Sequence, residues 1–140
     1  DALGRTIAVR TGSASPCSPA ETAAGRCITY TFDADGNPLS QTDQTGLTTY
    51  EYDRLGRQTR KTLPGQSPQV LDYDAAGNLA ALTDAAGTTA YGYDSANLLA
   101  ALAEPGGSCG AAFTRCHQFD HDENGRQRAI RYPTNNGAPG

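Results

Sequence analysis

The stretch YEYDRLGRQT, Tyr50 to Thr59, decides the fold. Two tyrosines stand two apart, an aspartate follows, and a glycine and an arginine close the phrase. It recurs as YTFDADGNPL (30–39), LDYDAAGNLA (71–80), YGYDSANLLA (91–100) and HQFDHDENGRQ (117–127). Five copies of one phrase are evidence for an array, not for a single site.

The period is measured on the aspartate after the aromatic: Asp33, Asp53, Asp74, Asp94 and Asp120, with Asp1 as a sixth anchor lacking its aromatic. Steps of 20, 21 and 20 residues separate Asp33 from Asp94. The flanking steps, 32 from Asp1 to Asp33 and 26 from Asp94 to Asp120, are longer, and they hold the four cysteines. Cys17–Cys27 and Cys109–Cys116 are the favoured pairs among three connectivities, because each closes its own short loop. Two insertions, 13–27 and 104–117, therefore loop out of a regular array. Disulfides point to an oxidising, extracellular setting. A Cys₄ metal site is the rival, against which stand the distance between the pairs and the lack of a C-x-x-C.

Each unit reads as two short strands and two turns. Aspartate opens a turn by bonding backbone on its C-terminal side, and glycine supplies positive φ. The turn pairs are Asp33 with Gly36, Asp53 with Gly56, Asp74 with Gly77, Asp94 with Asn97 and, after two extra residues, Asp120 with Gly125. Asn97 replaces glycine because asparagine tolerates the left-handed region. The segments LTTYEYD, QVLDYD and TTAYGYD alternate as strands. Stacked units would align Phe32, Tyr52, Tyr73, Tyr93 and Phe119 as one ladder. Tyr30, Tyr50, Leu71, Tyr91 and His117 would form a second row. Aromatic pairs contribute about 0.5–1.5 kcal/mol each beyond area burial, which compensates for few large aliphatic residues. No helical period is visible, and LLAALAEP falls in a strand slot.

Composition narrows the function. The chain has 140 residues, a net charge of −4, 16 glycines and no tryptophan or methionine. No basic footprint for nucleic acid exists, and no apolar run spans a membrane. Opening on Asp1 without methionine reads as a processed product or a piece of something longer. DHDENG (120–125) matches the first half of a calcium loop through Asp120, Asp122 and Asn124. Position twelve is Arg131, where an EF-hand needs glutamate. His117 and His121 lie four apart beside Asp120 and Asp122, but the turn between them breaks a shared ligand geometry. No nucleophile-and-base set, phosphate loop or cofactor motif occurs.

The segments YDRLGR, YDAAGNLAALTDAAGTTAYGYD and FDADGNPLSQTDQTGLTTYEYD resemble the YD-repeat, or Rhs (rearrangement hotspot), family. The resemblance covers nearly the whole chain. It implies an all-β strip of antiparallel hairpins that winds into a hollow shell, which encloses a toxic domain in bacterial members. Partners would be other YD-repeat units, copies of the same chain, or an enclosed toxin domain. The expectation is a single array over 1–140: a non-enzymatic, secreted or cell-surface structural module without cofactor. It forms part of a shell or, through uncapped strand edges, a head-to-tail filament. The alternative is a carbohydrate-binding or adhesion module, with tyrosines stacking on surface glycans.

Overall fold

The computed structural model describes residues 1–11, 17–110 and 114–133. Residues 12–16, 111–113 and 134–140 lie outside the described residues, and with them part of each expected insertion and most of the tail YPTNNGAPG. Among the described residues there are eleven strands and one short helix, so the chain is all-β. Two compact units divide it, Asp1–Gln69 and Val70–Gly140.

In the first unit β1 (Ala8–Arg10), β2 (Cys27–Phe32), β3 (Pro38–Asp43), β4 (Gly46–Tyr52) and β5 (Gln58–Thr62) form an antiparallel meander in chain order. Directly opposed residues share a face. Val9, Ile28, Tyr30, Gln41, Thr48, Tyr50 and Lys61 thus lie on one face. Cys27, Thr29, Thr31, Ser40, Thr42, Thr49 and Thr62 lie on the other. One face is aromatic and the other is threonine-rich.

The insertion before β2 carries helix α1 (Pro19–Ala23). The sequence expectation held no helix, yet the signal is local. Ser18 caps by accepting from the Glu21 backbone N–H at 3.3 Å, and proline occupies the first turn. Serine, proline and a third-position glutamate form a start signal too short to show a 3.6-residue period. Cys17 is joined to Cys27 at the start of β2, and this bond pins α1 beside the threonine-rich face. Cys27 is 1 % exposed and Thr22 of the helix 8 %.

The second unit repeats the plan with β6 (Gln69–Tyr73), β7 (Leu79–Asp84), β8 (Gly87–Tyr93), β9 (Leu99–Ser108), β10 (Thr114–His121) and β11 (Gln127–Arg131). Leu71, Leu82, Tyr91, Leu102, His117, Phe119 and Ile130 share one face. Ala81, Ala90, Gly92, Ala101, Ala103 and Cys116 share the other. LLAALAEP is strand β9, as its place in the repeat requires. Cys116, fully buried, is joined to Cys109 on the small-residue face.

Each unit is one layer of sheet. Among the described residues only Cys27, Cys116, Thr22 and Thr48 are buried; the ladder aromatics are half-buried and Tyr132 is exposed. Strand register, disulfides and turns therefore carry more of the fold than a closed core does.

Candidate functional site

The feature the sequence invests in most heavily is the aspartate turn, and the structure builds it on the same backbone hydrogen bonds each time. In the turn at Asp53, the Asp53 N–H donates to the Arg57 carbonyl at 2.9 Å and the Gly56 N–H to the Asp53 carbonyl at 3.0 Å. The carboxylate accepts from the Leu55 N–H at 2.9 Å and the Arg57 N–H at 3.0 Å through Oδ1. Arg57 Nε donates to Oδ2 at 2.7 Å. The residue four after the aspartate therefore closes the ring with its side chain. Arg5 Nε does so to Asp1 at 2.7 Å, Asn37 Nδ2 to Asp33 at 2.9 Å, and Asn78 Nδ2 to Asp74 at 3.1 Å. This explains why the motif alternates arginine with asparagine: both place a planar N–H donor beside the second carboxylate oxygen.

Hydrogen bonds to the ionised form favour it. The Asn37 side chain holds the Asp33 carboxyl below its ordinary range, and Asn78 acts likewise on Asp74. The backbone N–H of Arg57 leads the same effect at Asp53. Asp43 is held low chiefly by the Thr45 hydroxyl in the tighter turn of β3–β4.

The last turn corrects the sequence register. Its anchor is Asp122, not Asp120. The Asp122 N–H donates to the Arg126 carbonyl at 2.8 Å and the Gly125 N–H to the Asp122 carbonyl at 2.9 Å. Arg126 Nε closes the ring on Asp122 Oδ2 at 2.9 Å. Asp122-x-x-Gly125-Arg126 is thus an ordinary turn without extra residues. Asp120 sits one register earlier in β10, opposite Ala129, and pairs with Arg131 at 2.6 Å. Phe119 moves with it. The residue before the turn aspartate is Phe32, Tyr52, Tyr73, Tyr93 and then His121. Phe119 belongs to the second row, and His117 lies one strand step beyond. The aromatic-aspartate pair at 119–120 mimicked the motif; the D-x-x-G-R spacing from Asp122 is the signal that resolves it.

In the calcium candidate 120–125, the carboxylates of Asp120 and Asp122 are engaged by the protein itself. Asp122 Oδ1 accepts from the Asn124 and Arg126 N–H groups at 2.9 Å each, and Asp120 is engaged by Arg131. Among the described residues no cluster of three or more His, Cys, Asp or Glu side chains could hold a metal ion.

The ladder residues engage their own unit. Tyr30 and Phe32 stack with centroids 6.4 Å apart, and the Arg5 guanidinium lies 5.0 Å over Phe32 while Nη1 donates to the Asp33 carbonyl at 2.7 Å. Burial, the leading cause, raises the Tyr52 phenol. The Tyr93 hydroxyl donates to the Leu79 carbonyl at 3.0 Å. His117 Nε2 meets Glu104 at 3.1 Å and its ring meets Tyr132 edge-on.

A second spacing escaped the sequence reading. Gly46 (φ +124) is covered by the Pro64 ring and Gly87 (φ +121) by Pro105, so close that an added Cβ would stand 3.0 and 2.9 Å from proline carbon. Pro64-Gly65 and Pro105-Gly106 lie 41 residues apart, as do Gly46 and Gly87. The repeating element is thus a pair of hairpins; Pro64-Gly65 forms a turn, whereas at Pro105-Gly106 strand β9 runs on toward the second disulfide.

The family model described as RHS Repeat matches residues 32–68 and 73–108, again 41 apart and together just over half of the chain. A search of curated proteins returned no match. Among solved structures, the TcdB2-TccC3 crystal structure is 28 % identical with a TM-score of 0.57 over 75 % of this chain. The TcdB2-TccC3-Cdc42 crystal structure is also 28 % identical, with a TM-score of 0.59 over 76 %. The Photorhabdus luminescens Tc holotoxin pore gives 28 % identity and 0.58 over 75 %. This chain spans about 5 % of the length of each of those chains.

Proposed function

Because the chain belongs to the RHS repeat family, we propose that it is a non-enzymatic wall segment of a secreted Rhs-type shell of the toxin-enclosing kind. One observation carries the reading. Each unit is a single sheet layer with both faces half-open, joined by turns that spend their polar groups on themselves. Such a layer gains stability from neighbours of the same kind, as repeat arrays do. The likeness to segments of Tc toxin structures supports the architecture. The two disulfides support an oxidising destination. Ladder aromatics that bond or stack within their own unit favour a structural use over sugar stacking.

The test is light scattering behind size exclusion, with the peak imaged by negative-stain electron microscopy. The wall-segment reading expects a 14.6 kDa monomer that shows no binding on a glycan array. Long regular fibres would replace it with self-assembly through strand edges. Glycan binding abolished by Tyr93→Ala would replace it with the adhesion reading.

A further inference from the structure

The turn at Asp94 departs from the others at two points, and a residue from elsewhere in the fold makes up the difference. Its backbone bonds are regular: the Asp94 N–H donates to the Leu98 carbonyl at 2.9 Å, and the Leu98 N–H to Asp94 Oδ1 at 2.9 Å. Asn97 takes the glycine position at φ +60. The ring-closing position, however, is Leu98, which has no donor. Leu98 instead packs under the next aspartate turn, where a Cβ on Gly125 would stand 3.3 Å from Leu98 Cδ1. The second oxygen of Asp94 faces His121 Nδ1 at 3.7 Å. His121 comes from β10 and holds the place that Phe32, Tyr52, Tyr73 and Tyr93 hold before their turns. Thus the one turn that has lost its own donor lies beside the one ladder position where an imidazole replaces an aromatic.

The charges around His121 are nearly all of one sign. Asp94 faces it from the β8–β9 turn, and Asp122 and Glu123 from the β10–β11 turn, in a recess of about 470 Å³. Asp120, its chain neighbour, also lines that recess and is paired with Arg131. Leu98 from the β8–β9 turn and Ala100 from β9 also line it, and β11 sets Gln127 opposite His121. The nearby cation Arg126 is bound to Asp122. The His121 side chain is 14 % exposed, against 33 % for Asp94.

We propose that His121 is a proton-operated clasp: protonated, it forms an ion pair with the Asp94 carboxylate 3.7 Å away and ties that turn to β10; neutral, it loses that attraction and releases the turn. Histidine changes charge between about pH 5 and 8, where the carboxylates stay ionised. The clasp therefore tightens this part of the array on mild acidification and loosens it at neutral to alkaline pH. It concerns the joint between hairpins and does not depend on what the array encloses.

The experiment is amide hydrogen exchange by NMR on the 140-residue chain, comparing Leu98 in the clasped turn with Asn37 in the self-closed Asp33 turn. From pH 5.5 to 8, the protection of Leu98 relative to Asn37 falls about two- to fivefold, the range of a partly exposed ion pair. Leu98→Asn restores a donor within the turn and flattens the dependence. His121→Gln keeps a neutral donor and flattens it as well. A ratio that does not change with pH in the wild type, or a slope that survives His121→Gln, overturns the proposal.

Discussion

The disulfides offer the clearest quantitative test of how the array is held. Cys17–Cys27 spans 10 residues and Cys109–Cys116 spans 7. In the chain-entropy account, closing such loops in the unfolded state is worth about 2.7 and about 2.4 kcal/mol. The first bond also pins α1, whose Thr22 is one of few buried side chains in that unit. Strand β1 pairs with β2 over three residues and enters it through the same insertion. Loss of the Cys17–Cys27 bond therefore removes the support of β1. The perturbation is Cys17→Ala with Cys27→Ala, since one change alone leaves a thiol at a 1 % exposed position. With a urea dependence of about 2 kcal/mol/M, the midpoint drops by roughly 1.3 M, and somewhat more for the cavity at Cys27. Circular dichroism under urea gives the midpoint. Hydrogen exchange assigns the loss to β1 and β2 rather than to β9 and β10. An unchanged midpoint would refute the idea that cross-links stand in for a core.

Three further outcomes follow from the turns. Gly56→Ala places a Cβ in open space at φ +75 and costs about 1–2 kcal/mol. Gly87→Ala costs more because its Cβ meets Pro105; thermal melts of the two variants rank them. Asp122→Ala lowers the melting temperature and unravels the β10–β11 hairpin by hydrogen exchange, whereas Asp120→Ala leaves that turn formed; the reverse order would restore the register read from the aromatic alone. The turn carboxyls of Asp33, Asp53, Asp74 and Asp122 are held below their ordinary value. Their contribution is complete above the unfolded aspartate value of about 3.9 and is lost as pH falls through the lowered folded values. Acid unfolding followed by circular dichroism should therefore begin below about pH 4.

Much of this was legible in the sequence because the period is short and its punctuation is chemical. Asp, Gly and Arg or Asn at fixed offsets imply one turn geometry, and alternation around Tyr50 and Tyr52 implies a strand. What escaped was of four kinds. At 119–122 two aromatic-like and two acidic residues overlap, and only the distance to Gly125 and Arg126 decides which aspartate turns. The 41-residue spacing of Pro64 and Pro105 was hidden because its meaning lies in contact with Gly46 and Gly87, a matter of shape rather than pattern. Helix α1 was missed because five residues cannot display a helical period. The half-exposure of the ladder was not legible either: alternation tells which face a residue takes, not whether anything covers it.

Within each unit the two ends of the strands follow different rules. Every five-residue aspartate turn sits at one end, where its ring leaves no room for an added residue without breaking bonds to the carboxylate. The opposite end carries the short Asp43–Gly46 and Asp84–Gly87 turns and both cystine-bearing segments. Within each unit, added residues are therefore accommodated at that end of the strands. A foreign peptide grafted between Cys109 and Cys116 would be displayed there on a cross-linked stem, while the same graft between Asp53 and Arg57 would undo the stitch that sets the next strand.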